Sequence, residues 1–298
     1  MTTFATGPAR VSVPATSANL GPGFDALGLA LDLRDRLEAE VTEGGLVVDV
    51  EGVGSDAVPR DESHLVVRAM RAAFDELGVQ PAGLRLHCAN VIPHARGLGS
   101  SSAAIVAGVW LARELVAGGR LLLGDDGLLD LAARIEGHPD NVAPALLGGF
   151  VIAGQDPDGT FYAVPSEVDP RIGTVVFVPP DPVSTELARG LLPKEVPHAD
   201  AAMNAGRAAL LVAAIGGRPE QLVRATADRL HQDYRRPAMP ASLDLVDELR
   251  ADGVPAIVSG AGPTVLAFTD TTDGLLARCP AGWVAHRLDI DPHGAVAW

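Results

Sequence analysis

The chain has 298 residues, 47% apolar and 20% charged, which fits one large or two ordinary domains with a real core and no need of a disulfide or metal staple. A net charge of −15 excludes the basic stripe that nucleic acid or an anionic membrane surface would require, and no apolar run reaches the roughly 18 residues of a membrane span. Lys194 is the only lysine, so neither a P-loop nor the third-strand lysine of a protein kinase can be built. Cys88 and Cys279 are too few for a disulfide framework or a thiolate zinc site, and both read as small buried hydrophobes. The opening Met1-Thr2-Thr3-Phe4-Ala5 lacks the basic head and apolar stretch of a secretory signal, so the expected address is the cytoplasm.

In chain order, 11–13 and 26–33 read as short strands. Segments 39–43 and 46–51 alternate like a hairpin around Gly44-Gly45. Apolar residues recur at helical spacing over 63–77, ending at Gly78. A strand is expected over 84–91, helices over 101–116 and 128–135, a short helix over 142–147 and a strand over 150–153. A polar, Pro-rich stretch places the domain boundary near 165, giving expected domains 1–165 and 166–298. The second half predicts a strand over 174–178, helices over 185–192, 201–215, 219–230 and 241–251, and strands over 256–259, 264–269, 283–288 and 294–298. Strands and helices mix without strict alternation, which argues an α+β fold.

Four segments concentrate chemistry. In 93–104, Pro93-His94-Ala95-Arg96-Gly97-Leu98-Gly99-Ser100-Ser101-Ser102-Ala103-Ala104, a strand enters a Gly/Ser loop that opens a helix. Free N–H groups at a helix start attract anions, and backbone dipoles, a metal and one Arg can hold a triphosphate on a chain of this charge. In 12–28, Asn19 and Asp25 flank a turn built from Gly21-Pro22-Gly23, a pairing suited to an amine or hydroxyl. In 135–141, Glu136, His138, Asp140 and Asn141 crowd a helix end, and such hard oxygen donors suit Mg²⁺. The fourth, 258–264, is a Gly-rich turn between strands that either approaches a phosphate or is a tight connection. Each segment alone also admits a plain structural reading as a capped helix, an Asx-turn, a helix stop or a turn.

In this order the four segments resemble the GHMP small-molecule kinase superfamily, which includes galactokinase, mevalonate kinase, phosphomevalonate kinase and homoserine kinase. The loop 97–104 resembles its second motif and 260–264 its third. The part specific to the homoserine kinases is Thr16-Ser17-Ala18-Asn19-Leu20-Gly21-x-Gly23-Phe24-Asp25 with Glu136-Gly137-His138-x-Asp140-Asn141. Ser184-Thr185-Glu186-x-x-Arg189-x-x-Leu192-Pro193 and Tyr234-Arg235 match more weakly. The resemblance implies a two-domain GHMP kinase fold, with a ribosomal-protein-S5-like N-terminal domain and a ferredoxin-like C-terminal domain. It implies ATP-dependent phosphorylation of the L-homoserine hydroxyl, on the threonine branch of amino-acid biosynthesis, with ATP and Mg²⁺ as cofactors.

By the same resemblance Asn19, Asp25, His138, Arg189, Arg235 and Thr264 would bind the substrate, Thr264 closing the site from the second domain. Ser101 and Glu136 would hold Mg²⁺. Pro93, Arg96, Gly97, Leu98, Gly99, Ser100, Ser101, Ser102 and Ala103 would cradle the phosphates. Mevalonate-kinase-like members carry an Asp, a candidate base, where Asn141 stands. Asn cannot accept a proton, so the expected chemistry is direct in-line attack with Asp25 orienting the hydroxyl and Asn141 stabilising charge. His64 departs from an Asn common in the family near the adenine. A homodimer is a possible assembly. The alternatives are another small hydroxyl acceptor, mevalonate- or shikimate-like, or a regulator on the same fold that binds without turnover.

Overall fold

The computed structural model describes residues 3–270 and 273–298. Its first sheet grows from β1 (Ala9–Ala18) and β2 (Leu27–Thr42), paired antiparallel from Ala9↔Ala39 to Ala18↔Gly28 with a bulge at Pro14/Ala15. The segments expected as separate strands are one strand of 16 residues. The polar run that separates them in sequence stays in the sheet because its side chains find partners elsewhere. Arg34 donates to Ser12 Oγ at 2.9 Å and pairs with Asp291, and Asp35 accepts two backbone N–H groups.

β1 covers one edge of β2. The other edge is shared by β5 (Phe150–Gln155), at 27–29, and β4 (Gly83–Asn90), at 36–42. β6 (Phe161–Ser166) extends β5, and β3 (Gly45–Gly52) lies outside β4, parallel to it. The hairpin expected at Gly44-Gly45 therefore does not form, since β4 sits between β2 and β3. β4 buries Leu84, Leu86 and Cys88 and takes the interior slot, whereas β3 leaves Val47 exposed and suits an edge. The link from β3 to β4 runs through α1 (Leu65–Glu76), the long crossover that a parallel pair needs. Apolar faces of α1, α2 (Ser100–Leu115), α4 (Asp125–Glu136) and α5 (Val142–Leu147) pack together over the sheet, with α3 (Gly119–Leu122) as a short link.

The second sheet has the order β10-β7-β9-β8, from β7 (Gly173–Val178), β8 (Ala256–Val258), β9 (Val265–Thr269) and β10 (Val284–Leu288). Around it lie α6 (Thr185–Gly190), α7 (His198–Ile215), α8 (Leu222–Ala225), α9 (Pro240–Ala251) and α10 (Asp273–Leu276). The helix expected over 219–230 is only a 3-10 turn at Pro219–Gln221 followed by α8. Thr226 Oγ1 donates back to the Leu222 carbonyl at 2.8 Å, and the Asp228 carboxylate takes the N–H groups of Leu230, His231 and Gln232. Both contacts compete with helix propagation.

The sheets part between Ser166 and Gly173, and residue 165 lies near the end of strand β6. The final residues return to the first sheet through bridges Leu31↔Ile290 and Ser12↔Val296, and Trp298 Nε1 donates to the Val11 carbonyl at 3.2 Å. The tail strand expected over 294–298 is thus a single bridge, and its packing partner is the N-terminal sheet. Both cysteines are free thiols. Cys88 is buried and pushed up to about 12, foremost by burial and then by the charges of Asp35 and Asp49, whereas Cys279 is only partly buried.

Asp35 is a buried carboxylate near the point where β4 leaves the sheet. Burial pushes it up to about 6, only partly opposed by the N–H groups of Ile92 and Val91, which donate to Oδ1 at 3.0 and 2.6 Å. Its value outside the fold is 3.8, so the folded state holds the proton more tightly. The ionised carboxylate then costs stability above pH 6, and the cost is relieved as the pH falls toward 4. Urea denaturation of the wild type should gain on Asp35→Asn by about 2 kcal/mol between pH 7.5 and 4.5. A pH-independent difference between the two would show that the group is solvated.

Candidate functional site

Two loops of the first domain and one turn of the second meet at the C-terminal end of β1. All four described non-glycine residues with left-handed backbone, Asn19, Leu20, Asp25 and Ala95, lie in those two loops, at φ of 48 to 66°. Such strain persists only where the surroundings over-determine it. Here Asn19 Oδ1 accepts the Asp25 N–H at 3.0 Å, and Asn19 Nδ2 donates to the Gly260 carbonyl at 2.9 Å. Asn19 is therefore chiefly a clamp on the turn that presents Asp25.

The second loop runs from Pro93 into α2. Gly99 caps α2 in the left-handed region (φ 69°) without a side-chain cap, and no backbone acceptor among the described residues takes the N–H groups of Ser100, Ser101 and Ser102. Those donors sit at the positive end of a helix of 16 residues, and Ser100 and Ser101 line a cleft of about 300 Å³. A Cβ on Gly99 would collide with Thr16 Oγ1. At Gly97 (φ 74°) it would meet the carbonyls of Ser259 and Gly262.

The Gly-rich turn of the second domain packs backbone to backbone on these loops. Gly260 N–H donates to the Ala18 carbonyl at 3.1 Å and Thr264 N–H to the Arg96 carbonyl at 3.2 Å. Ser259 Oγ donates to the Gly97 carbonyl at 2.6 Å. The turn is a pin between the domains, with Gly260 and Ala261 on the cleft wall.

At the far side of the cleft Ser101 and Ser102 both donate to Glu136 Oε1, at 2.6 and 2.9 Å. Two hydroxyls converging on one carboxylate oxygen form a hard-oxygen set of the kind Mg²⁺ accepts. His138 Nδ1–H donates to buried Asp140 Oδ1 at 2.6 Å. Burial disfavours the imidazolium, but the Asp140 hydrogen bond and charge, joined by Glu136, outweigh it and raise His138 above its ordinary value. Asn141 Oδ1 accepts the Thr16 hydroxyl at 2.7 Å, which turns its Nδ2 donors away from that contact.

The second domain adds two arginines. Arg189 of α6 grips Asp25 bidentately, at 2.6 and 3.1 Å, and each side chain remains about a third exposed. Arg235 is 1% exposed and has no carboxylate partner among the described residues. Its NH1 meets His231 Nδ1 at 2.9 Å and the Gly260 carbonyl at 3.0 Å, while its Nε is buried without a partner. Burial, and next the charge of Arg189, pull it down to about 10.

Of the expected site residues, Asn19, Gly97, Gly99, Ser100, Ser101, Glu136, His138, Asn141, Arg189 and Arg235 line this cleft, and Asp25 joins it through Arg189. Pro93, Leu98, Ser102 and Ala103 stand behind the lining as loop and helix scaffold. Arg96 is turned away, its guanidinium donating to the carbonyls of Pro179, Pro180 and His94. Thr264 is fully buried with an unpartnered hydroxyl and is no wall of the cleft. Thr264, expected to close the site from the second domain, immediately precedes β9 instead, and Gly260 and Ala261 stand on the cleft wall. Sequence reasoning passed over Asp140 as the partner of His138, although it stands within the quoted motif, and had no signal for His231.

A second cavity, of about 250 Å³, shares Ser100 and Ser101 with the cleft. Its walls are mostly apolar, Leu37, Val58, Leu65 and Val66 among them, and it is edged by Asp35 and by His64, whose Nδ1 is buried without a partner. Burial holds His64 and His94 below the ordinary imidazole value. A larger hollow, about 660 Å³, lies around Phe268 in the second domain, and its Arg171 and Arg278 are already paired with acids.

Residues 64–149 match the family of GHMP kinases N terminal domains, and residues 210–278 match the GHMP kinases C terminal family. A homoserine kinase of Streptomyces coelicolor is 59% identical over 96% of this chain and 93% of its own length. One from Clavibacter michiganensis is 50% identical over 96% and 92%. The crystal structure of a homoserine kinase from Cytophaga hutchinsonii superposes with a TM-score of 0.82 at 25% identity, covering 99% of this chain and 98% of that one.

The approach of Gly99 to Thr16 carries its own consequence. Gly99→Ala adds a strained left-handed alanine and a clash, so the urea midpoint should fall by the equivalent of about 1–3 kcal/mol. An unchanged midpoint would mean that the loop adopts another conformation.

Proposed function

The chain belongs to the homoserine kinases of the GHMP kinase family, and from that premise we propose how its residues divide the transfer of the ATP γ-phosphoryl group to the side-chain hydroxyl of L-homoserine. The product is O-phosphohomoserine, on the way to threonine. One observation supports the residue assignment above the rest. An acid from one domain and two arginines from the other, one of them buried without a counter-ion, face each other beside an uncapped helix start.

A zwitterion is the natural occupant of such a pocket. Its ammonium replaces Arg189 at Asp25, and its carboxylate takes the guanidinium forks of Arg189 and Arg235. Both charges of the resident pair then keep partners, and the cost of the lone buried Arg235 is relieved. Asp25, held by the Asn19 clamp, also orients the hydroxyl toward the loop. His138, braced by Asp140, adds a donor from the opposite wall.

The N–H groups that open α2 receive the phosphates, and the apolar cavity beside Ser100 and Ser101 receives the purine, with His64 Nδ1 as a polar contact. Ser101 and Glu136 would hold Mg²⁺, which supplies positive charge for the phosphates when bound. The transition state of phosphoryl transfer is loose and highly charged, so positioning and fixed donors carry most of the rate enhancement. Asn141 suits this work. Thr16 holds its carbonyl and leaves amide N–H to stabilise charge, and it cannot take the hydroxyl proton. Attack is in-line, and the proton leaves late, to phosphate or solvent. No described helix is long and apolar enough to cross a membrane, and two free thiols fit the reducing cytoplasm.

Purified protein should release ADP in a Mg²⁺-dependent manner with L-homoserine and not with mevalonate, shikimate or galactose. Turnover of another acceptor in preference would overturn the assignment, and no turnover with any acceptor would favour a binding regulator. Arg189→Lys, which loses the bidentate fork, should raise the KM for homoserine by roughly 10–100-fold with little change for ATP. Asn141→Asp should lower kcat. A strong rise in kcat there, with Asp25→Asn harmless, would defeat the scheme.

A further inference from the structure

Arg235 owes its place to one neighbour. A guanidinium only donates, so the 2.9 Å contact between Arg235 NH1 and His231 Nδ1 requires a lone pair on Nδ1. The ring proton must then sit on Nε2, where it is donated to the Gly21 carbonyl at 2.8 Å. His231 is fully buried and lies outside the cleft, so it touches no substrate. Arg235 and the Gly21 carbonyl fit the neutral Nε2–H tautomer, whereas the Asp228 charge opposes it. Asp228 fixes its backbone N–H at 3.0 Å and stands 3.8 Å from Nε2, the Phe24 ring lies 5.3 Å away, and Arg235 closes the remaining side. Burial, reinforced by the Arg235 charge, keeps the imidazole below its ordinary value despite Asp228.

The two atoms that His231 ties together belong to the two halves of the acceptor pocket. Gly21 opens the turn that carries Phe24 and Asp25, and Arg235 is the buried cation opposite. The Phe24 ring completes the frame, with the guanidinium carbons of Arg189 and Arg235 at 5.5 and 5.7 Å from its centroid. We propose that His231 is a positioning residue which, through Nδ1 to Arg235 and Nε2–H to Gly21, sets the distance between the carboxylate anchor and the ammonium reader of the pocket. The inference rests on the assignment of Arg235 to the acceptor carboxylate made above.

His231→Leu keeps bulk and removes both hydrogen bonds, whereas His231→Asn keeps an acceptor near the Nδ1 position. The leucine variant should raise the KM for L-homoserine by about 10–100-fold, leaving kcat within a few-fold and the KM for ATP unchanged, and the asparagine variant should recover most of the loss. The deciding comparison uses 3-aminopropan-1-ol, the acceptor without a carboxylate. Its kcat/KM should be low with the wild type and indifferent to His231→Leu, since nothing then reads Arg235. An equal penalty on both acceptors, or none on homoserine, would overturn the proposal in favour of a purely structural histidine. Nitrogen-15 NMR of the wild type gives a second reading that needs no variant to fold. His231 should appear as the neutral Nε2–H tautomer at pH 7, and the Nδ1–H tautomer or an imidazolium would overturn it. A wild type that phosphorylates neither acceptor would sink the functional reading itself, and the tautomer would then decide the present inference alone.

Discussion

The site depends on backbone packed directly against backbone across two domains. The turn at Ser259–Gly262 reaches the Ala18 carbonyl through the Gly260 N–H and the Gly97 carbonyl through the short Ser259 hydroxyl. That closeness excludes a Cβ at Gly97 and fixes the Asn19 amide against Gly260. A hydrogen-bonded polar seam of this kind is specific in geometry, because any displacement leaves buried donors and acceptors unpaired. The uncapped helix start of α2 on one side and the arginines on the other are thereby held in one register.

Charge is arranged around that seam with economy. A chain of net charge −15 collects its local positive field from main-chain N–H groups at α2 and from two arginines of the second domain. Each arginine is treated differently. Arg189 is half solvated and parked on Asp25, where a surface-like pair is worth little and exchanges readily. Arg235 is buried and lacks a carboxylate, so it remains a standing demand for an anion.

The chemistry-bearing segments were legible because glycine, serine, amide and carboxylate cluster where ordinary turns do not require them. Asn19, Ser101, Glu136, His138 and Asn141 line one cleft, and Asp25 joins it through Arg189. Arg96 and Thr264 illustrate the limit. Both stand inside strong motifs, yet the guanidinium is drawn to the carbonyls of 179 and 180 and the threonine is carried behind the turn. A motif specifies a backbone path, whereas a side chain's target depends on what the rest of the chain brings near it.

The amino-acid sequence by itself determined the class of fold, the long helices whose apolar spacing is local, and the glycine- and serine-rich loop of 93–104 that opens a helix. These follow from periodicity and from residue chemistry within a few positions. Only the tertiary structure decided that β4 separates β2 from β3, that the last ten residues rejoin the first sheet, and that His231 stands between Gly21 and Arg235. Each of those turns on a contact between residues far apart in sequence, His231 with Gly21 in the last case. Such pairing depends on competing burial and on which buried donors and acceptors find partners, quantities that no local pattern encodes.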